Sequence, residues 1–149
     1  MEMILFIGCQ GAGKSTFYRE QFFATHVRVS LDMLRTRNRE RLLVKACLEM
    51  GQKFVVDNTN PTAEDRKRYF DLANGSGFKP VAYFFAATID ELLSRNAERE
   101  GKDRIPEKAV RGTLKKLEIP TEAEGFDEIF QISVVSGGKF DVLRLSHEV

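Results

Sequence analysis

Nine residues near the N-terminus, Gly8-Cys-Gln-Gly-Ala-Gly-Lys-Ser-Thr16, constrain this chain more than any other stretch. They fit the spacing G-x-x-x-x-G-K-[ST], in which a glycine-rich turn aims successive backbone N–H groups at an anion. The flanks agree with the motif. Met3–Ile7 is a short apolar run suited to a buried parallel strand, and Thr16–Phe23 reads as a helix. The helix N-terminus adds its partial positive charge to the loop. Gly11, Ala12, Gly13, Lys14, Ser15 and Thr16 are therefore expected to hold the phosphates of a nucleoside triphosphate. Lys14 is expected to reach the β- and γ-phosphates, and Ser15 to hold Mg²⁺.

A loop of this kind needs a sheet behind it, and 149 residues suffice for one domain with its own core. Apolar runs alternate with amphipathic stretches, the pattern of an α/β fold with a central parallel sheet. Strands are expected at Met3–Ile7, Val27–Ser30, Phe54–Asp57, Pro80–Ala86 and Ile129–Val134, about five in all. Helices are expected at Ser15–Phe23, Arg39–Met50, Ala63–Asn74, Ile89–Arg99 and Glu107–Leu117, flanking the sheet as crossovers. Ser136-Gly-Gly138 is a turn, after which 136–149 reads either as a terminal antiparallel strand or as the start of a link to a further module.

The bulk numbers exclude several classes. Hydrophobic residues make up 42% and charged residues 30%, and no apolar run approaches a membrane span. The chain enters its first strand with no basic region or cleavage site, so an intracellular, cytoplasmic setting is expected, or a nuclear one in a eukaryote. Cys9 and Cys47 are too few for a disulfide scaffold and lack zinc-site spacing. A net charge of +1 argues against tight binding along a duplex, but leaves room for a local cluster gripping a few phosphates at one end of a strand.

A phosphate loop says nothing about what receives the phosphate. Two strand-end acids address that question. Asp57 closes Phe54-Val-Val56 and opens Asp57-Asn-Thr-Asn-Pro61. Ligands of open α/β sheets bind beyond the carboxyl ends of strands, so a carboxylate there can orient Mg²⁺ beside Ser15. The same run of turn formers also suits an Asp that only caps the next turn. Asp32 follows Val27–Ser30 and offers a general base for an attacking hydroxyl. Arg35, three residues on, would share a helical face with it and could pair with acceptor phosphate oxygens. An N-terminal helix Asp beside a surface Arg is the competing account. Arg95 and Arg99 are four apart and precede Gly101. This makes a lid over about 95–106, whose arginines could neutralise a transferring phosphoryl group, or else a solvated charged helix.

Taken in order, Gly8–Thr16, Ser30-Leu-Asp32-Met-Leu-Arg35, Val55-Val-Asp57-Asn-Thr-Asn-Pro61, Ala86-Ala-Thr88, Arg95–Arg99, Ile105-Pro106 and Pro120-Thr121 with Glu124-Gly-Phe-Asp-Glu-Ile129 resemble the 5′-kinase domain of polynucleotide kinases over residues 4 to 135. The resemblance implies a P-loop kinase fold with a helical lid, and transfer of the γ-phosphate of ATP, with Mg²⁺, to the 5′-hydroxyl of DNA or RNA. It implies Lys14, Asp32 and Arg99 as catalytic, with Asp32 the general base, and Ser15 and Asp57 at the metal. It places Arg95 at the nucleotide and Arg35, Thr59 and Asn60 at the acceptor. Arg35 and Arg95 match only the phage-type pattern, and Leu31 stands where relatives often carry Arg. Relatives attach further end-repair domains where this chain stops, so fused or separate partner domains are an expectation. Two other readings stay open: a P-loop kinase acting on a small-molecule alcohol, and a nucleotide-dependent switch whose output is lid movement.

Overall fold

The computed structural model describes residues 1–101 and 104–145. Its centre is β1 (Glu2–Ile7), the apolar run ahead of the glycine-rich loop. Five strands are parallel: β1, β2 (Val27–Val29), β3 (Phe54–Val56), β4 (Lys79–Phe85) and β5 (Glu128–Val135). A sixth, β6 (Lys139–Arg144), pairs antiparallel with β5. The order across the sheet is β2-β3-β1-β4-β5-β6. The terminal-strand reading of 136–149 thus holds for 139–144, and 146–149 lie outside the described residues.

Alternation along β1 divides the core in two. Met3, Leu5 and Ile7 face one layer with Val44 and Cys47 of α3 (Arg37–Met50) and Tyr69 of α4 (Ala63–Ala73). Ile4 and Phe6 face the other, with Phe17 of α1 (Lys14–Gln21), Leu92 of α5 (Ile89–Glu98) and Val110 of α6 (Glu107–Lys116). Phe6 is the hub of the second layer. Its ring meets Phe85 at 4.9 Å and Phe17, Phe22 and Tyr83 at 6.0–6.1 Å, mostly edge to face. Both faces of the sheet are covered, which is why its inner strands read as continuous apolar runs rather than alternating ones.

Two departures from the expected elements bear on function. A separate four-residue helix, α2 (Leu31–Leu34), precedes α3. It stops at Arg35, which takes φ 74°, ψ −33°. Asp32 and Arg35 therefore do not share a helical face as expected, because the chain turns out of the helix between them so that Thr36 can cap α3 through the Arg39 N–H. On α4, Arg66 is fully buried and forks onto Glu124 (2.8 and 3.0 Å). Its third nitrogen donates to the carbonyls of Asn60 and Glu118. Glu124, part of one of the more specific motifs of the sequence, is thus a strut that ties the segment before β5 to the loop after β3.

Candidate active site

The loop after β1 passes so close to β4 that only glycine fits at its start. A Cβ on Gly8 would lie 2.9 Å from the Cβ of Phe85. At the other end Gly13 takes φ 102° and caps α1, leaving the first N–H groups of that helix without intrahelical partners. The β5–β6 hairpin closes over this end. Phe140 comes within 3.0 Å of where a Gly13 Cβ would sit and packs on Phe17 at 5.0 Å.

Lys14 is buried, and its ammonium donates to the carbonyls of Gly8 and Cys9, both at 2.8 Å. Burial lowers its pKa to about 8, partly offset by the carboxylate of Asp57. Burial also pushes the Cys9 thiol up, in keeping with a small residue tolerated in the loop rather than a reactive one.

Ser15 Oγ donates to Asp57 Oδ2 at 3.1 Å, bringing together the two residues expected at the metal. A third group was not foreseen. Arg28 Nε donates to the same Asp57 oxygen at 2.8 Å, and its Nη2 to Ser15 Oγ at 3.2 Å. A guanidinium therefore sits as a cation on two hard oxygens, the donor chemistry that Mg²⁺ takes when substrate phosphates and water complete its shell. The residues present fit that ion. The one available signal for Arg28 was a charge inside the otherwise apolar Val27-Arg-Val29.

The run Asp57–Asn60 binds four different parts of the fold. Asp57 holds Ser15 and Arg28. Asn58 Oδ1 accepts the Leu31 N–H at 2.9 Å, at the start of α2. The Thr59 carbonyl accepts the Gly8 N–H at 3.0 Å. Asn60, at φ 44°, donates from its side chain to the Phe6 carbonyl at 2.8 Å. Asn60, expected at the acceptor, is buried, latches onto β1 and is not among the residues that line the cavity of the site.

These elements enclose a cavity of about 380 Å³. Gly11, Gly13, Lys14, Ser15 and Thr16 line it on the donor side, with Asp57 beside them. Asp32, Thr59 and Arg99 line it as well, together with Gln10, Leu31, Asn58 and Ile105, to which the sequence assigns no role at the site. Ala12, Arg35 and Arg95 are not among its lining residues. Arg95 instead donates to the Gly11 carbonyl at 3.1 Å and pairs with Glu91, bracing the loop from behind. Arg35 is exposed at the end of α2.

The segment expected to act as a lid is short and stitched at its base. Asn96 exchanges hydrogen bonds with both backbone groups of Ile105, and Arg104 donates to the carbonyl of Arg99. Lys102 and Asp103, within the expected lid, lie outside the described residues. His26 is structural, held by Glu2 at 2.8 Å and by Thr25; His147 lies outside the described residues. No helix among the described residues is long and apolar enough to cross a membrane.

Comparison with known proteins agrees with this frame. The AAA domain family matches residues 3–120. The bifunctional polynucleotide phosphatase/kinase of Schizosaccharomyces pombe is 29% identical over 139 residues, covering 88% of this chain and 33% of that protein. The L-seryl-tRNA(Sec) kinase of Methanococcus maripaludis is 24% identical over 166 residues, covering 99% of this chain and 64% of that one. The chain thus spans about a third of the first relative's length. A gluconokinase from Sinorhizobium meliloti shares the fold at a TM-score of 0.63 and 19% identity, covering 91% of this chain and 83% of its own. With the match over 3–120 and the phosphate loop, acid and cavity in place, the chain belongs to the AAA domain family of P-loop proteins, and its likeness within that frame is to the polynucleotide kinases.

Proposed function

We propose that this protein is a phosphotransferase that moves the γ-phosphate of ATP to the 5′-hydroxyl of a nucleic acid. The observation that carries the proposal is the convergence of a complete phosphate loop, the Ser15–Asp57 pair and a second carboxylate, Asp32, on one cavity. A nucleotide-binding switch needs the first two; a hydroxyl acceptor also needs a base.

In this reading the amides of the loop and Lys14 receive the β- and γ-phosphates, whose oxygens take over hydrogen bonds that Lys14 makes to the carbonyls of Gly8 and Cys9. Ser15 and Asp57 would hold Mg²⁺, which supplies charge neutralisation at the phosphates when bound. Asp32 accepts the proton of the attacking hydroxyl. Arg99, across the cavity, stabilises negative charge on the transferring group.

The nucleic-acid acceptor is supported by the named relatives and by a local basic surface. Arg35, Arg39 and Arg41 follow Asp32 within nine residues and are all exposed, while Arg37 among them pairs with the buried Glu40. These exposed cations around the junction of α2 and α3 suit a strand that carries phosphates beyond its reacting end. The competing acceptor is a small-molecule alcohol.

Incubation with Mg²⁺ and γ-labelled ATP, offering 5′-hydroxyl DNA and RNA, the same strands with 5′-phosphates, and free nucleosides and sugars, separates these. Label is expected only on 5′-hydroxyl ends. Label on a nucleoside or sugar alone would transfer the reading to small alcohols, and label on nothing would sink it.

A further inference from the structure

Asp32 lies on a four-residue helix, far too short to hold its own position. Something else must fix it against the phosphate loop. The first N–H of α2, that of Leu31, donates to Asn58 Oδ1. The other end of the same amide donates to Glu40 Oε2 at 2.8 Å and lies 3.3 Å from the Tyr69 hydroxyl. Glu40 is almost wholly buried, on α3, and also accepts from Tyr69 OH at 3.1 Å and Arg37 Nη1 at 2.8 Å. Arg37 in turn donates to Tyr69 OH at 3.1 Å.

The donors and acceptors can be satisfied in one arrangement only. Glu40 accepts from the Arg37 guanidinium and the Tyr69 hydroxyl, so it takes the NH₂ side of Asn58 as well and turns the carbonyl side to α2. A flipped amide would set oxygen against carboxylate and NH₂ against the Leu31 N–H. Burial and the neighbouring carboxylate push the Tyr69 phenol up to about 12, so its proton stays available for Glu40.

We propose that Asn58, oriented by Glu40 and Tyr69, is a positioning residue that holds α2, and through it Asp32, at the cavity. Asn58 follows Asp57 directly, so the same segment sets the metal acid and the base side by side. The proposal rests on the reading of Asp32 as the base, and its test separates the two.

Two measurements are made on Asn58→Ala. The first is amide hydrogen exchange. Leu31 is expected to exchange at least about tenfold faster, since its acceptor is gone, with the amides of β1 and α1 unchanged. An unchanged Leu31 overturns the proposal whatever Asp32 does. The second is a cycle with Asp32→Asn. Asn58→Ala is expected to lower kcat about ten- to a hundredfold, the cost of a misplaced catalytic group, with the Kd for ATP changed less than about threefold. In the Asp32→Asn background it should change the residual rate less than about threefold. An equal loss in both backgrounds overturns the positioning role and leaves the base intact, whereas full activity of Asp32→Asn alone overturns the base. Should Asn58→Ala fail to fold, Asn58→Ser is measured in the same way. It keeps an acceptor near Leu31 without the donor to Glu40, and is expected to lose less.

Discussion

The two halves of the cavity are built in opposite ways. The donor half is almost wholly local. Nine consecutive residues, running from the end of β1 into the first turn of α1, supply the amides, Lys14 and Ser15, and Lys14 is held by carbonyls five and six residues away. The half that carries Asp32, the proposed acceptor side, is assembled from afar. Asp32 rides on a helix whose first N–H is bound by a residue 27 positions on, itself oriented by one 18 positions back. A local device can be carried by a motif, but a remote one depends on every strut between its parts. Disturbing the donor half should therefore change nucleotide binding first, and disturbing the acceptor half should change transfer first.

The largest effect expected is from Asp32→Asn, which keeps the shape of the side chain and removes the proposed base. Transfer to a 5′-hydroxyl should fall by about 10²–10⁴-fold with ATP affinity nearly unchanged. Parallel losses in ATP binding would show that the halves are not separable. Arg66→Ala comes next and should damage both halves together, since it leaves Glu124 as an uncompensated, mostly buried carboxylate and frees the loop that carries Asp57–Asn60. A stability loss of about 3–5 kcal/mol, read as a fall in Tm or in denaturant midpoint, is expected.

Lys14 provides a test specific to the donor half. Its pKa of about 8 in the folded protein lies below the ordinary lysine value of 10.5. Phosphate oxygens favour the charged ammonium, so ATP binding should take up a proton above pH 8. Affinity should weaken by up to about tenfold per pH unit there, and show no such slope below pH 7. Calorimetry in buffers of different ionisation heat reads this directly. The same depression means that the unfolded chain holds the Lys14 proton between about pH 8 and 10.5 while the folded protein releases it. This group therefore adds stability as pH rises through that window and contributes no slope below it. The smallest effect expected is at Arg28. Removing its charge from Ser15 and Asp57 by Arg28→Met should raise the affinity for Mn²⁺, used as a spectroscopic probe of the Mg²⁺ seat, by about two- to tenfold. Weaker binding would make the guanidinium a support for Asp57 rather than a competitor for its oxygens.

The legibility of these parts in the sequence follows the same division. Gly8–Thr16 could be read residue by residue because its chemistry is dictated by spacing along the chain. That Asp57 and Asp32 line the cavity is legible because a strand end points where ligands of such sheets bind. The direction of the Asn60 side chain is not legible, because the resemblance ties the residue to its motif but not to a direction; its backbone turns the side chain inward onto Phe6. Arg35 was set on the face of Asp32 because a three-residue spacing implies a continuous helix, and the break after Leu34 has no glycine or proline to announce it. Arg28 and Asn58 each look ordinary in their neighbourhood, a strand charge and a turn former, until their partners from other elements arrive.

What the sequence determined alone is therefore the alternation of strands and helices, the phosphate loop with Lys14 and Ser15, and the two acids at strand ends, all properties of residues close together along the chain. What only the tertiary structure decided is which of these meet. The parallel order of β2, β3 and β1 brings Arg28, Asp57 and Ser15 onto shared oxygens, and the buried Glu40 turns one amide so that a helix too short to stand by itself is held at the cavity. Hydrogen bonds between remote buried groups are set by the packing that brings them together, and spacing along a chain carries no record of that packing.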